Sequence, residues 1–258
     1  MPSYFSSMGM PVENDEQIFE LAQAAAEEST THEIVGGVYL HWQCATGVEL
    51  WMQIDHENDL IGMAAHFNGK SRVRVGVAAH FQRPDESPLD GVLYCWVEPQ
   101  EDFESGEYPI VFNSPDFLTL DDLDGVQEAV AQITAFASRL DVFADEAAYF
   151  ASQADAQPQL AAESFIPVGL FPSDDDGEPP EHPESVAMIS GRVLESATKR
   201  NSLTGKPYHH AWIATFGGTF DVVIDPEVGE LPPVDGIVSG LFFVSGRLTR
   251  IISRKTEP

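Results

Sequence analysis

The sequence predicts an α+β protein in two parts: an amino-terminal antiparallel sheet with flanking helices, followed by a small all-β barrel. Three observations carry that expectation. Strand-like runs between Glu33 and Phe112 are followed by helix-spaced residues after Thr119, an order that favours α+β over a parallel α/β sheet. Short strand-like runs separated by turn residues fill the stretch after Ser185. Charge divides the chain at the same place. Of the 42 acidic residues, 34 precede Glu184 together with only five Lys and Arg, whereas residues 184–258 carry eight of each sign. The whole net charge of −29 therefore belongs to the first part.

The elements follow in order. Asn14 is placed to cap a helix, with Gln17 at the capping-box position and Ile18, Leu21, Ala22 and Ala25 as its apolar stripe. Glu27 and Glu28 oppose the helix dipole and should fray its end. Glu33–Gln43 and Val48–Asp55, separated by Thr46-Gly47, read as strands. Leu60–Phe67 and Lys70–Gln82 flank Asn68-Gly69, a strong hairpin signal, and Gly91–Glu98 and Tyr108–Phe112 complete the sheet. Leu123, Val126, Val130, Ile133, Ala137 and Leu140 then recur at helical spacing after a Thr119 cap, and a shorter helix is expected over Ala144–Gln153. SDDDGEPPEHPE, residues 173–184, has the Pro and Asp content of a linker. The expected division is thus an acidic domain over 1–172, a linker over 173–184 and a β module over 185–258. The apolar stretch Phe165–Phe171 should dock on the first domain.

In the β module, Val186–Leu194, His210–Phe216, Thr219–Ile224, Gly236–Val244 and Arg247–Ile252 read as five strands. Gly191 falls in the first, a long loop joins the first two, and GIVSGLFFVSG suits a curved fourth strand. This arrangement resembles an OB barrel, although the helix such barrels carry between their third and fourth strands has no counterpart here.

Metal and catalytic motifs are not found. Gly62–Phe67 (GMAAHF) echoes Gly76–Phe81 (GVAAHF), but the expected hairpin register places His66 and His80 far apart, against shared metal ligation. Cys44 and Cys95, each beside a Trp, lack knuckle spacing and read as buried small hydrophobes; the acidic surroundings should raise a thiol pKa. No Gly-x-Ser-x-Gly elbow, phosphate loop or calcium loop occurs, so no cofactor, metal or catalytic residue is assigned and an enzyme is the less favoured class.

Two candidate contact sites remain. The loop from Lys199 to His210, with Trp212 beyond it, combines cations and rings: Lys199, Arg200, Asn201, Lys206, Tyr208, His209 and His210. In a barrel of this type it is the natural ligand contact, with His209 and His210 alternating in and out of the barrel. Lys70, Arg72 and Arg74 share one strand face as an anion-contact strip.

The opening MPSYFSSMGMPVENDE has neither a basic nor a continuous apolar region, and no run approaches a membrane span. A cytoplasmic protein without membrane contact is expected. The charge favours a non-enzymatic acidic protein that docks on a basic protein partner, of inhibitor, immunity or nucleic-acid-mimic type. The alternative is a single-stranded nucleic-acid binder acting through the C-terminal module alone, with the acidic domain recruiting a protein.

Overall fold

The computed structural model describes residues 4–83, 86–120, 123–171 and 182–254. Asn14 opens the first helix, α1 (Asp15–Ala26), by accepting the Gln17 N–H with its side chain. Leu21, Ala22 and Ala25 turn inward, and the helix stops just before Glu27 and Glu28. Four antiparallel strands follow: β1 (Thr30–Ile34), β2 (Gly37–Gln43), β3 (Val48–Asp55) and β4 (Leu60–Phe67), paired in that order. The remaining strands are β5 (Val73–Phe81), β6 (Val92–Val97), β7 (Tyr108–Asn113), β8 (Val126–Phe143), β9 (Ser164–Ile166), β10 (Val186–Arg200), β11 (Pro207–Thr215), β12 (Gly218–Ile224) and β13 (Ile237–Arg254). A short helix, α2 (Glu146–Ser152), follows β8 and is capped by Asp145.

These later strands form one nine-stranded sheet, ordered β11-β12-β8-β5-β6-β7-β13-β10-β9. Its spine is the antiparallel ladder of β8 and β13, which runs from Ile237 opposite Phe143 to Arg254 opposite Val126. Near the Phe143 end, β10, β11 and β12 connect β13 back to β8 and close a ring of five strands. Near the other end, β5, β6 and β7 make a second connection, closed by a single parallel bridge between Ser245 and Asn113.

The expected fold class is therefore corrected. Half of the chain is strand and 13% is helix, in two sheets rather than a helix-flanked sheet and a separate OB-like barrel. Val126–Leu140 is strand, not helix. Ala129, Ala131, Ile133, Ala135 and Ala137 lie on one face of β8 and fill the interior of the rings, while Phe136 on the other face packs against the four-stranded sheet. Residues 131–137 are buried on both faces with only Gln132 and Thr134 polar among them, so apolar positions fall on both faces and mimic helical spacing. The five strands expected within 185–258 are four among the described residues, because Ile237–Arg254 is one continuous strand. Gly246 marks a close approach rather than a turn: a Cβ there would stand 2.6 Å from the Phe112 ring. The fifth wall of that ring is β8, from the other half of the sequence.

Asn68-Gly69 likewise joins two sheets instead of turning a hairpin, since β4 lies in the four-stranded sheet and β5 in the nine-stranded one. A Cβ on Gly69 would stand 2.2 Å from the Asp221 carboxylate. By contrast β3, β4, α2 and the β11–β12 hairpin lie close to where the sequence places them. Phe165–Phe171 docks through β9 on β10, with Phe165 in the main core. Most of 173–184 lies outside the described residues. Its described end is anchored: Arg83 donates to the Pro183 carbonyl at 2.7 Å and Glu184 N–H to the Gly169 carbonyl. Strands from both sides of this segment share the nine-stranded sheet and its core.

A second core lies between α1, the four-stranded sheet and the outside of the nine-stranded sheet, around Met8, Met10, Leu50, Phe67, Phe136 and Tyr208. Among the described residues no helix is long and apolar enough to cross a membrane.

Candidate functional site

The expected contact loop is mostly strand. β10 continues to Arg200 and pairs with β11, Lys199 opposite Tyr208 and Arg200 opposite Pro207, leaving residues 201–206 as the turn. Three of its residues face inward. Buried Asn201 donates to the Met8 carbonyl at 3.0 Å and accepts from the Leu203 N–H, which ties the chain's start to this turn. Tyr208 donates to the Thr46 carbonyl, and His210 meets Asp221 at 2.8 Å. The others lie outward. Arg200 donates to the Gly205 carbonyl, Lys206 is exposed and His209 contacts Thr198.

The strip separates. Arg74 is held by Glu98 and Glu128, and Arg72 donates to the Gly69 and Ser71 carbonyls. Lys70 alone joins the loop: it pairs with Glu195 and stands 5.4 Å over the Trp212 ring. Lys199 lies 4.7 Å over Phe67 on the same side. Burial lowers the Lys199 pKa; Asp221 opposes this and Lys70 adds to it.

A buried polar chain between the two sheets has no local signature in the sequence. Arg247 on β13 holds Asp116 at 2.8 Å and Glu49 at 3.1 Å, and lies 4.7 Å over the Trp51 ring. Glu49 also accepts from the Trp51 indole N–H at 3.1 Å, and His41 is 3.5 Å away. Burial pushes the Glu49 carboxyl up, but neighbouring His41, the charge His66 takes on when protonated and the Arg247 charge outweigh it and bring it down to about 2. Opposite Glu49 in the β3–β4 ladder stands His66, whose imidazole is kept neutral chiefly by burial.

Hydrogen bonding fixes the state of that imidazole. The Gln132 amide nitrogen donates to Asp221 at 3.1 Å and Thr134 at 3.2 Å, so its oxygen faces His66 Nε2 at 2.5 Å and must accept. The proton therefore sits on Nε2, and Nδ1 accepts the Ser245 hydroxyl at 2.9 Å. Asp221 ends the chain, accepting from the Ser71 N–H at 2.7 Å and contacting His210. Burial raises its pKa, but His210 and the backbone N–H groups outweigh this and the net shift is downward.

Chemically this chain resembles a relay, but it serves as a cross-link. The amide of Gln132, not a carboxylate, holds His66, and Ser245 is buried. Among the described residues no group of three or more His, Cys, Asp or Glu is placed to hold a metal ion. His66 and His80 belong to different sheets, and His80 pairs with exposed Asp124. Both cysteines are buried. The Cys95 thiol is raised, but by burial rather than by the acidic surroundings expected from the sequence. Burial also raises Cys44, but the Thr46 hydroxyl and the N–H groups of Thr46, Val48 and Ser202 reverse that shift, contrary to the expected rise.

The outer surface differs sharply. The first 69 residues contain no Lys or Arg. Glu13, Asp15, Glu16, Glu20, Glu27 and Glu28, on and around α1, are all exposed, as are Glu57 and Asp59 in the turn between β3 and β4. Many of the chain's cations are engaged elsewhere: Arg83 with Glu86, Arg192 with Glu146 and Glu163, Arg247 in the interior. Comparison gives no further guide: no family model matches the chain, and neither the curated proteins nor the solved structures yield a match.

Proposed function

We propose that this chain is a non-enzymatic acidic protein that docks on a basic protein partner, as inhibitor, immunity or nucleic-acid-mimicking proteins do. The supporting observation is the acidic face around α1: its carboxylates are exposed and none of the first 69 residues is Lys or Arg, although Lys206 stands near Glu13 at one end. A field of one sign over such a face raises the rate of encounter with a basic surface and repels nucleic acid and anionic lipid. The buried polar chain supports the same reading, because its ionisable groups are spent on joining the sheets.

The test is a pull-down with the intact chain at about 0.15 M salt, where fields reach about 8 Å. One basic protein should be retained in fixed stoichiometry and released near 1 M salt. A variant carrying Glu13→Gln, Asp15→Asn, Glu16→Gln and Glu20→Gln should lose it. Retention unchanged by that variant and by salt would overturn the reading.

The meeting of Lys70, Lys199 and Trp212 favours a second reading, contact with a nucleic-acid phosphate and base at this corner. Glu195 beside Lys70 opposes it. Fluorescence anisotropy with single-stranded DNA and RNA across a salt series separates the two: a Trp212→Ala change should abolish binding only under the second.

A further inference from the structure

The face around α1 contains a groove of about 560 Å³ between the helix and the β3–β4 turn. Ile18, Phe19, Leu60 and Met63 line its apolar part, and Asp15 and Asp59 stand along it. Phe19 is 60% exposed, unusual for a ring one position from the inward stripe of a helix. The rest of α1 explains its placement. Leu21, Ala22 and Ala25 already bury the inner face, so Phe19 is left at the groove with no packing duty comparable to theirs.

We propose that this groove receives a Lys- or Arg-rich segment of a partner protein that inserts one apolar side chain between its cations. The inference rests on the reading of the chain as an acidic docking protein and names the chemistry its partner must present. Charge complementarity selects the occupant. Asp15 and Asp59 line the groove, Glu16, Glu20 and Glu57 are exposed on the same helix and turn, and the first cation in the sequence is Lys70. A second copy of this chain would bring a body of overall net charge −29 against an acidic face, and nucleic acid or anionic lipid would be repelled likewise. A purely polar basic segment would leave the apolar lining wet. An apolar anchor flanked by cations satisfies both parts of the surface, as a buried central contact within a polar border does at protein interfaces.

Two synthetic peptides of identical Lys and Arg content, one with a central Leu and one with Ser in its place, test the proposal by anisotropy against the intact chain. The Leu peptide should bind tenfold or more tightly than the Ser peptide. Phe19→Ser, at an exposed position that leaves the cores untouched, should erase that difference. The pair Asp15→Asn and Asp59→Asn should weaken both peptides and flatten their salt dependence. If both peptides bind equally and lose affinity with salt, the groove proposal fails while the basic-partner reading stands. If neither binds and no basic protein is retained in the pull-down, both fail. A Leu preference that persists in Phe19→Ser overturns the groove. So does self-association in sedimentation that Phe19→Ser abolishes, since the occupant would then be a second copy.

Discussion

Glu49 and Glu16 are the same residue type in opposite settings. Glu49 is fully buried between the sheets, where Arg247, Trp51 and His41 surround it. Glu16 stands exposed in the first turn of α1. The contrast shows that acidity in this chain has two separate uses. Inside, a carboxylate is tolerated only because partners replace the water it has lost, so its contribution depends on geometry. Outside, carboxylates contribute through number and sign, which leaves them free for a partner.

The strongest way to break this contrast is Arg247→Ala. It strands Glu49 and Asp116 in the interior and should cost about 3–5 kcal/mol of stability in urea unfolding. A loss no larger than that of an exposed ion pair would mean the inner carboxylates are not held as described.

Acid titration sharpens the same point. Glu49 and Asp221 have folded pKa values below their ordinary ones, so their stabilisation is complete above those ordinary values and is lost as pH falls toward the folded ones. His66 also titrates below its ordinary value of 6.5, so its share begins to be lost earlier. Stability should therefore decline below about pH 6.5 and fall more steeply below about pH 4.5. Arg247→Ala should shrink the steeper part, because Glu49 loses the charge that holds its proton affinity down. A flat profile from pH 7 to pH 3 would contradict this.

Smaller effects belong to the outer face. Asn14→Ala removes the side-chain acceptor for the Gln17 N–H and should cost about 1 kcal/mol, read from thermal unfolding. Glu28→Lys places a cation beyond the C-terminal end of α1 and should raise Tm by about 1–2 °C. A Tm decrease would show that Glu28 has a partner of its own.

Legibility from sequence tracked distance along the chain. The α1 cap, the inward stripe Leu21–Ala25 and the β11–β12 hairpin depend on neighbours a few positions apart, and each was readable. β8 was misread because its spacing fits a helix when only one buried face is imagined, and nothing local reveals the second. Asn68-Gly69 misled because its glycine answers to Asp221, far along the sequence. The buried chain was invisible: His66 lies 66 positions from Gln132 and 179 from Ser245, and Glu49 lies 198 from Arg247. The meeting of Lys70 with Trp212 is hidden for the same reason, since the two lie far apart along the chain.

The β8–β13 ladder also sets a timetable for biosynthesis. β8 ends at Phe143, and the first residue of its long partner is Ile237. At translation rates of roughly 5–20 residues per second, β8 waits on the order of 5–20 s before its main neighbour exists. During that interval a strand edge apolar on both faces stands open, so folding of this chain is closer to a final zip than to a sequential build, and an elongation pause between the two strands would prolong its exposure to aggregation.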